Sequence, residues 1–410
     1  MLDNVARIRL AYFAVVVAAV VSSVGCKRAP TYHRDVAPIV TRRCIRCHAG
    51  DDASAPPRLD TYESVVGAAP KIKYTVQRRM MPPWGADDTG ICRTWRDALW
   101  LDNAELSTLV AWTEGGTPEG DPVGRAHVQP DSVPELAHVE ASLDLGFDYK
   151  PGLGPTSYRC FVVDPNLDRD RFLTGIRVRF SNPQMLAQVT LFAPQTIAAE
   201  AEAIKLDQDD PAAGYSCYGS PRVDPATLVS SWTWSTPAQI FPAGTGIRLA
   251  AHRKLVAQVH YNVLNAGLNA SSRTAIDLQF DDNVREATYL PLAARAMQLA
   301  PGKTYAESSA EMTVTAPSTV FGVAPRMHSL GRTMQLDRFR GASPSCVGNF
   351  DHWDFYRQRL FTYDVPLRLD AGDRLRVSCI YNTEGRAEPV LQGESIRDEE
   401  CAAYLYMPSP

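Results

Sequence analysis

Cys44-Ile45-Arg46-Cys47-His48 constrains this chain more than any other stretch. Two thiols three positions apart, with a histidine directly after the second, match the attachment pattern of a c-type haem. On one turn of helix the sulfurs reach two vinyl groups of one porphyrin, and the adjacent imidazole falls beneath the iron. A zinc site would need a second Cys/His pair nearby, and none is present. A thioredoxin-like redox pair would want a βαβ setting and does not need the histidine. Covalent haem c is therefore the expected cofactor. Arg79-Met80-Met81-Pro82-Pro83-Trp84 offers a sixth ligand, since two prolines fix an extended backbone that suits a loop laid over a flat ring. Met81, next to the prolines, is the expected ligand and Met80 the reserve; the other reading is that both merely fill core.

The first 26 residues read as an export signal. Arg7 and Arg9 precede an apolar run, Leu10 to Val21, that is too short for a good transmembrane span. Ser23-Val24-Gly25-Cys26 resembles a bacterial lipoprotein cleavage box, which implies a lipid on Cys26. Lys27 is not the aspartate that retains lipoproteins at the inner membrane, so the resemblance implies a periplasmic or outer-membrane anchored protein. With Cys26, Cys44 and Cys47 set aside, six of the nine cysteines remain. An even remainder in an oxidising compartment suggests three disulfides.

A chain of 410 residues suggests two to four domains. The net charge of -4 gives no support to nucleic-acid binding. Residues 27–118 are expected to form a small all-α cytochrome c-like domain, closed by a helix that Asp102 and Glu105 cap as a box. "DVAPI…CxxCH…MPPW" resembles small cytochrome c-like domains fused to other modules. Residues 119–135, rich in Pro, Gly and Asp, read as a linker.

From 136 onward period-two alternation dominates. Ile176, Val178 and Phe180 alternate with Arg177 and Arg179, and Leu255, Ala257, Val259 and Tyr261 alternate with Gln258 and His260. Many short strands separated by turn signals suggest two all-β, jelly-roll-like sandwiches, 136–285 and 286–410.

Tyr158-Arg-Cys160-Phe161, Gln258-Val-His260-Tyr261, Met327-His328-Ser-Leu-Gly331-Arg332 and Ala402-Ala-Tyr-Leu-Tyr406 resemble the copper type II monooxygenases, the family of peptidylglycine α-hydroxylating and dopamine β-monooxygenases. The resemblance implies two sandwiches, each with one copper, facing each other across a solvent cleft. Its first copper site maps onto Ala187, Gln188 and His260. Its second maps onto Arg326, His328 and Glu400. Only His260 and His328 keep an imidazole, so copper is not the expected cofactor. Arginine stays protonated and cannot coordinate, which suggests an Arg326–Glu400 ion pair in place of a metal. The resemblance pairs Cys379 with Cys401. Cys160 with Cys217 is plausible, and Cys92 with Cys346 follows by elimination.

The expected function is an exported, lipid-anchored c-type cytochrome carrying electrons, with a β module that has lost copper catalysis and binds instead. The alternative is an active monooxygenase that draws electrons from the haem. The expected partners are a redox protein, the membrane through the anchor, and an intact copper monooxygenase.

Overall fold

The computed structural model describes residues 28–49, 57–123, 128–152, 156–182, 184–234, 236, 238–262 and 269–409. Cys26 and the export signal lie outside the described residues. Among the described residues, no helix is long and apolar enough to cross a membrane.

Strand alternation becomes sheet where it was expected. The nine-stranded sheet runs, in spatial order, through Ala141–Tyr149, Ser272–Phe280, Arg171–Phe180, Thr245–Leu249, Arg285–Ala293, Ala402–Pro408, Ser318–Arg326 and Phe361–Leu369, with Gln239–Ile240 also paired to the third. A five-stranded sheet centred on Leu255–Asn262 covers one half of its face. A four-stranded sheet that includes Gly331–Arg340 and Arg374–Tyr381 covers the other. Period-two side chains place Ile176, Val259, Leu278 and Trp232 in one core and Val320, Leu336, Val377 and Leu405 in another. The two sandwiches thus share one sheet. The seam is a short parallel ladder, Arg285 with Thr245, Glu286 with Gly246 and Ala287 with Ile247.

The expected all-α cytochrome domain is not what the chain builds. The described residues are mostly β, with five short α-helices, and their N-terminal part does not close on itself. Helices α1 (Ala37–Arg43), α2 (Ile45–His48), α3 (Tyr62–Gln77) and α4 (Asn103–Glu114) pack around Val36, Val65, Leu109 and Trp112. Between α3 and α4 the chain leaves this cluster and enters the second sandwich. Trp84 and Trp95 are buried in that sandwich's core, where the Trp95 ring stacks on Tyr363 at 4.7 Å. Asp87 N–H donates to the Asn349 carbonyl and Arg96 N–H to that of Thr362. The physical reason is aromatic: two buried tryptophans gain more apolar contact in the β core than a four-helix cluster offers.

The box at Asp102 forms as expected, with Asp102 Oδ1 accepting from Glu105 N at 2.7 Å and Glu105 Oε2 accepting from Asp102 N at 3.1 Å. Glu105 also accepts from Arg42 and Arg43, tying α4 to α1. The structure joins Cys92–Cys346, Cys160–Cys217 and Cys379–Cys401. The first stitches the 78–100 excursion to the second sandwich. Helix α5 (Ile197–Asp209) lies over the first.

Candidate functional site

Cys44, Cys47, His48 and Met81 line one apolar pocket with Val40, Leu59 and Pro82. The two cysteines stand outside the three disulfides. They sit one turn apart because α1 ends at Cys44 and α2 restarts at Ile45. Burial pushes the Cys44 thiol up to about 12. His48 Nδ1 donates to the Pro57 carbonyl at 2.8 Å, which leaves Nε2 on the opposite edge of the ring. Met81 also lines a second, larger cavity of about 670 Å³, whereas half-exposed Met80 lines only that one.

The far wall of that larger cavity is aromatic. Tyr158 stacks on His260 at 3.9 Å, and His260 stacks on Tyr356 at 5.2 Å. Tyr218 meets Tyr158 at 4.8 Å and His328 at 5.0 Å, edge to face. The two histidines expected at separate copper sites therefore belong to one ring cluster between the sandwiches. Both imidazoles are buried, at 1% and 3% exposure, which pulls His260 down to about 3 and lowers His328 as well. The resemblance anticipated an open cleft; Tyr218, Phe355 and Tyr356 occupy the space between the two histidines.

Copper is the metal implied by the resemblance. His328 has the setting of a metal ligand: Nδ1 bonds the Asp398 carbonyl at 2.9 Å, and Nε2 is buried with no hydrogen-bond partner. Its neighbours do not continue the set. Arg326 Nε meets Glu400 Oε2 at 3.3 Å, and its Nη2 donates to the Gly219 carbonyl at 2.7 Å. A fixed cation thus lines the same cavity as His328, a space of about 750 Å³. On the first sandwich, Ala187 is packed in the interior and the Gln188 amide bonds Thr190 and Ser231 side chains. Among the described residues, no group of three or more His, Cys, Asp or Glu side chains is placed to hold a metal ion. The six mapped positions do not fit a two-copper set, and no step through copper is derived.

Sequence reasoning missed Glu399. It is fully buried, accepts from His328 N at 2.7 Å and Leu330 N at 2.6 Å, and burial raises it to about 7. Its signal was the acidic run Asp398-Glu399-Glu400, which looks like surface. The cations of the larger cavity were also missed, although the Arg78-Arg79 doublet precedes Met80.

Residues 285–408 match the copper type II ascorbate-dependent monooxygenase C-terminal domain. A peptidyl-glycine alpha-amidating monooxygenase of Mus musculus is 24% identical over 190 residues, 44% of this chain and 19% of that protein. A DBH-like monooxygenase protein of Homo sapiens is 36% identical over 87 residues, 21% of this chain and 14% of that protein. The chain thus spans about a fifth or less of the length of these relatives. The infectious bursal disease virus subviral particle aligns at 8% identity over 68% of this chain and 74% of its own, with a TM-score of 0.18, a level from which nothing about the fold follows.

These matches correct the cofactor expectation. Covalent haem c, with copper set aside, was expected; the family and relatives that match are copper-dependent monooxygenases, and nothing in the matches supports a covalent haem. The expectation weighted one five-residue motif above a 124-residue domain. Residues 285–408 are thus similar to the C-terminal domain of the copper type II ascorbate-dependent monooxygenases.

Proposed function

We propose that this chain is an exported redox protein, held at a membrane by a lipid on Cys26, in which the N-terminal segment carries electrons and the β module binds. The observation that carries the reading is the convergence of Cys44, Cys47, His48 and Met81 on one apolar pocket that abuts the larger cavity through Met81. Two thiols, an imidazole and a thioether are soft donors suited to redox-active centres. Among the described residues they line the pocket without meeting at one ion point. The β module has given up two-copper hydroxylation in this reading, because Ala187, Gln188, Arg326 and Glu400 supply no metal-ligand set with the two histidines. A redox partner protein exchanges electrons at the exposed edge of the pocket.

The test is mass and optical analysis of the protein after export in its own host. The expected result is a reductant-dependent change in thiol content or optical spectrum that Cys44→Ser plus Cys47→Ser abolishes. Thiol content and a spectrum both indifferent to reductant would overturn the electron-carrying role. Radiolabelled palmitate that enters the wild type and not Cys26→Ser tests the anchor.

A second reading is an active copper monooxygenase fed by the same centre. The domain match at 285–408 and the open Nε2 of His328 favour it. Copper titration separates the two: two tightly held coppers with oxygen-dependent hydroxylation belong to the second, and no retained copper after dialysis to the first.

A further inference from the structure

The 670 Å³ cavity between the N-terminal segment and the β module carries more positive charge than any other feature explains. Five basic side chains line it, Lys71, Arg78, Arg79, Arg332 and Arg357, against a single carboxylate, Asp354. The chain as a whole is net negative, at -4. Asp354 is taken by Arg357, at 3.2 Å. The other four cations enter none of the ion pairs among the described residues, and the bonds of the three arginines go to neutral acceptors. Arg332 donates to the Gly331 carbonyl at 2.8 Å, Arg79 to the Leu101 carbonyl and to Asn103 Oδ1, and Arg78 to the Tyr74 carbonyl at 3.4 Å. Like charges gathered at a half-enclosed wall repel unless a counter-charge arrives.

A second observation is independent of charge. Trp84, 3% exposed, forms part of the same wall, and its Nε1–H is buried without a hydrogen-bond partner. The Tyr218 hydroxyl on the opposite side is likewise buried and unpartnered. The remaining wall is ring surface from Trp353, Phe355 and Tyr356. The volume lies within the roughly 300–1,000 Å³ of small-molecule pockets.

We propose that this cavity is a binding site for an organic carboxylate with an aromatic body. The carboxylate is received by Arg332 with Arg78 and Arg79, and the rings hold its flat part. The inference rests on the reading of the β module as a binding module, and does not need the Cys44–His48 pocket to be redox-active. It gives the N-terminal segment a second role, because Lys71, Arg78, Arg79 and Trp84 all come from residues 71–84.

The experiment titrates the full exported protein with naphthalene-2-carboxylate and with its neutral, near-isosteric carboxamide, read by calorimetry and by tryptophan emission. The expected result is saturable one-to-one binding of the carboxylate, at least tenfold tighter than the amide. Arg332→Gln and Arg79→Gln each weaken the carboxylate about tenfold, the scale of one charge-assisted hydrogen bond, and leave the amide unchanged. Lys71→Gln, on an exposed lysine that forms no side-chain bond among the described residues, gives the same direction if either arginine variant fails to fold. Arg376→Gln, on the exposed face of the second sandwich, changes neither probe. Equal binding of the two probes would overturn the ligand class while leaving a binding module in place. No saturation by either probe at millimolar concentration would overturn both.

Discussion

The two sandwiches carry one buried histidine each, and at the positions that the resemblance gives to copper ligands their surroundings differ. Around His260 the replacement is packing: Ala187 is buried, Gln188 is held by Thr190 and Ser231, and two tyrosine rings sandwich the imidazole. Around His328 the replacement is charge: Arg326 and Glu400 form an ion pair on the same cavity wall. The difference teaches what a buried histidine can have beside it. A site inside a close-packed sheet is filled with apolar and amide atoms, because a lone charge there would be costly. A site that opens on a large cavity can keep charge, because water and a partner carboxylate share the desolvation.

The strongest way to break this comparison is at Arg326. Arg326→Ala leaves Glu400 facing a buried hole and removes the bond to the Gly219 carbonyl. Chemical denaturation should show a loss of about 3 kcal/mol, the low end for a broken buried pair, since Glu400 keeps some water contact. Arg326→Met with Glu400→Leu should recover most of that loss. Additive losses in the double-mutant cycle would show that the two side chains are not coupled, and the contrast between the sandwiches would collapse.

Acid sensitivity comes next. The His260 pKa falls from an ordinary 6.5 to about 3, through burial. Between those limits the unfolded chain binds a proton there that the folded chain refuses. Stability therefore falls as pH falls, by about 1.4 kcal/mol per unit at most. His260→Phe should flatten the acid limb between pH 6 and 4 in thermal melts. His328 shifts the same way, so His328→Phe should flatten it too; a wild-type limb in both variants would refute the buried-neutral assignment.

The smallest effect sharpens the packing side. Gln188→Ala gives up two side-chain hydrogen bonds and should cost about 1 kcal/mol in urea unfolding. A loss as large as that of Arg326→Ala would mean that Gln188 is more than filler.

Strand content was legible because alternation is local. Ile176 and Val178 face the core and Arg177 and Arg179 face outward, where both meet Asp277. The carboxylate partner was not legible, since it lies about 100 positions away on a neighbouring strand. The same reason hid the path of residues 78–100. Helix signals on either side suggested a closed helical domain, but the partners of Trp95 are Phe350, Phe361 and Tyr363. At the candidate sites, the Arg326–Glu400 contact could be anticipated because two substitutions of opposite charge occurred at mapped positions. The single ring cluster joining His260 to His328 could not, because Tyr158, Tyr218 and Tyr356 come from three distant segments.

The continuous nine-stranded sheet has a mechanical consequence. Two domains joined by a linker ordinarily swing relative to each other. Here the seam is itself a ladder, from Arg285–Ala287 to Thr245–Ile247, and the adjoining strands Arg285–Ala293 and Ala402–Pro408 pair along seven positions. Opening the halves like a hinge would peel backbone hydrogen bonds from the middle of a sheet. The molecule therefore behaves as one elastic plate with a thick layer on each half. Spin labels placed on opposite sandwiches should report a single narrow distance. Traffic into the interior is set by side-chain rotation at the rim, and not by the separation of lobes.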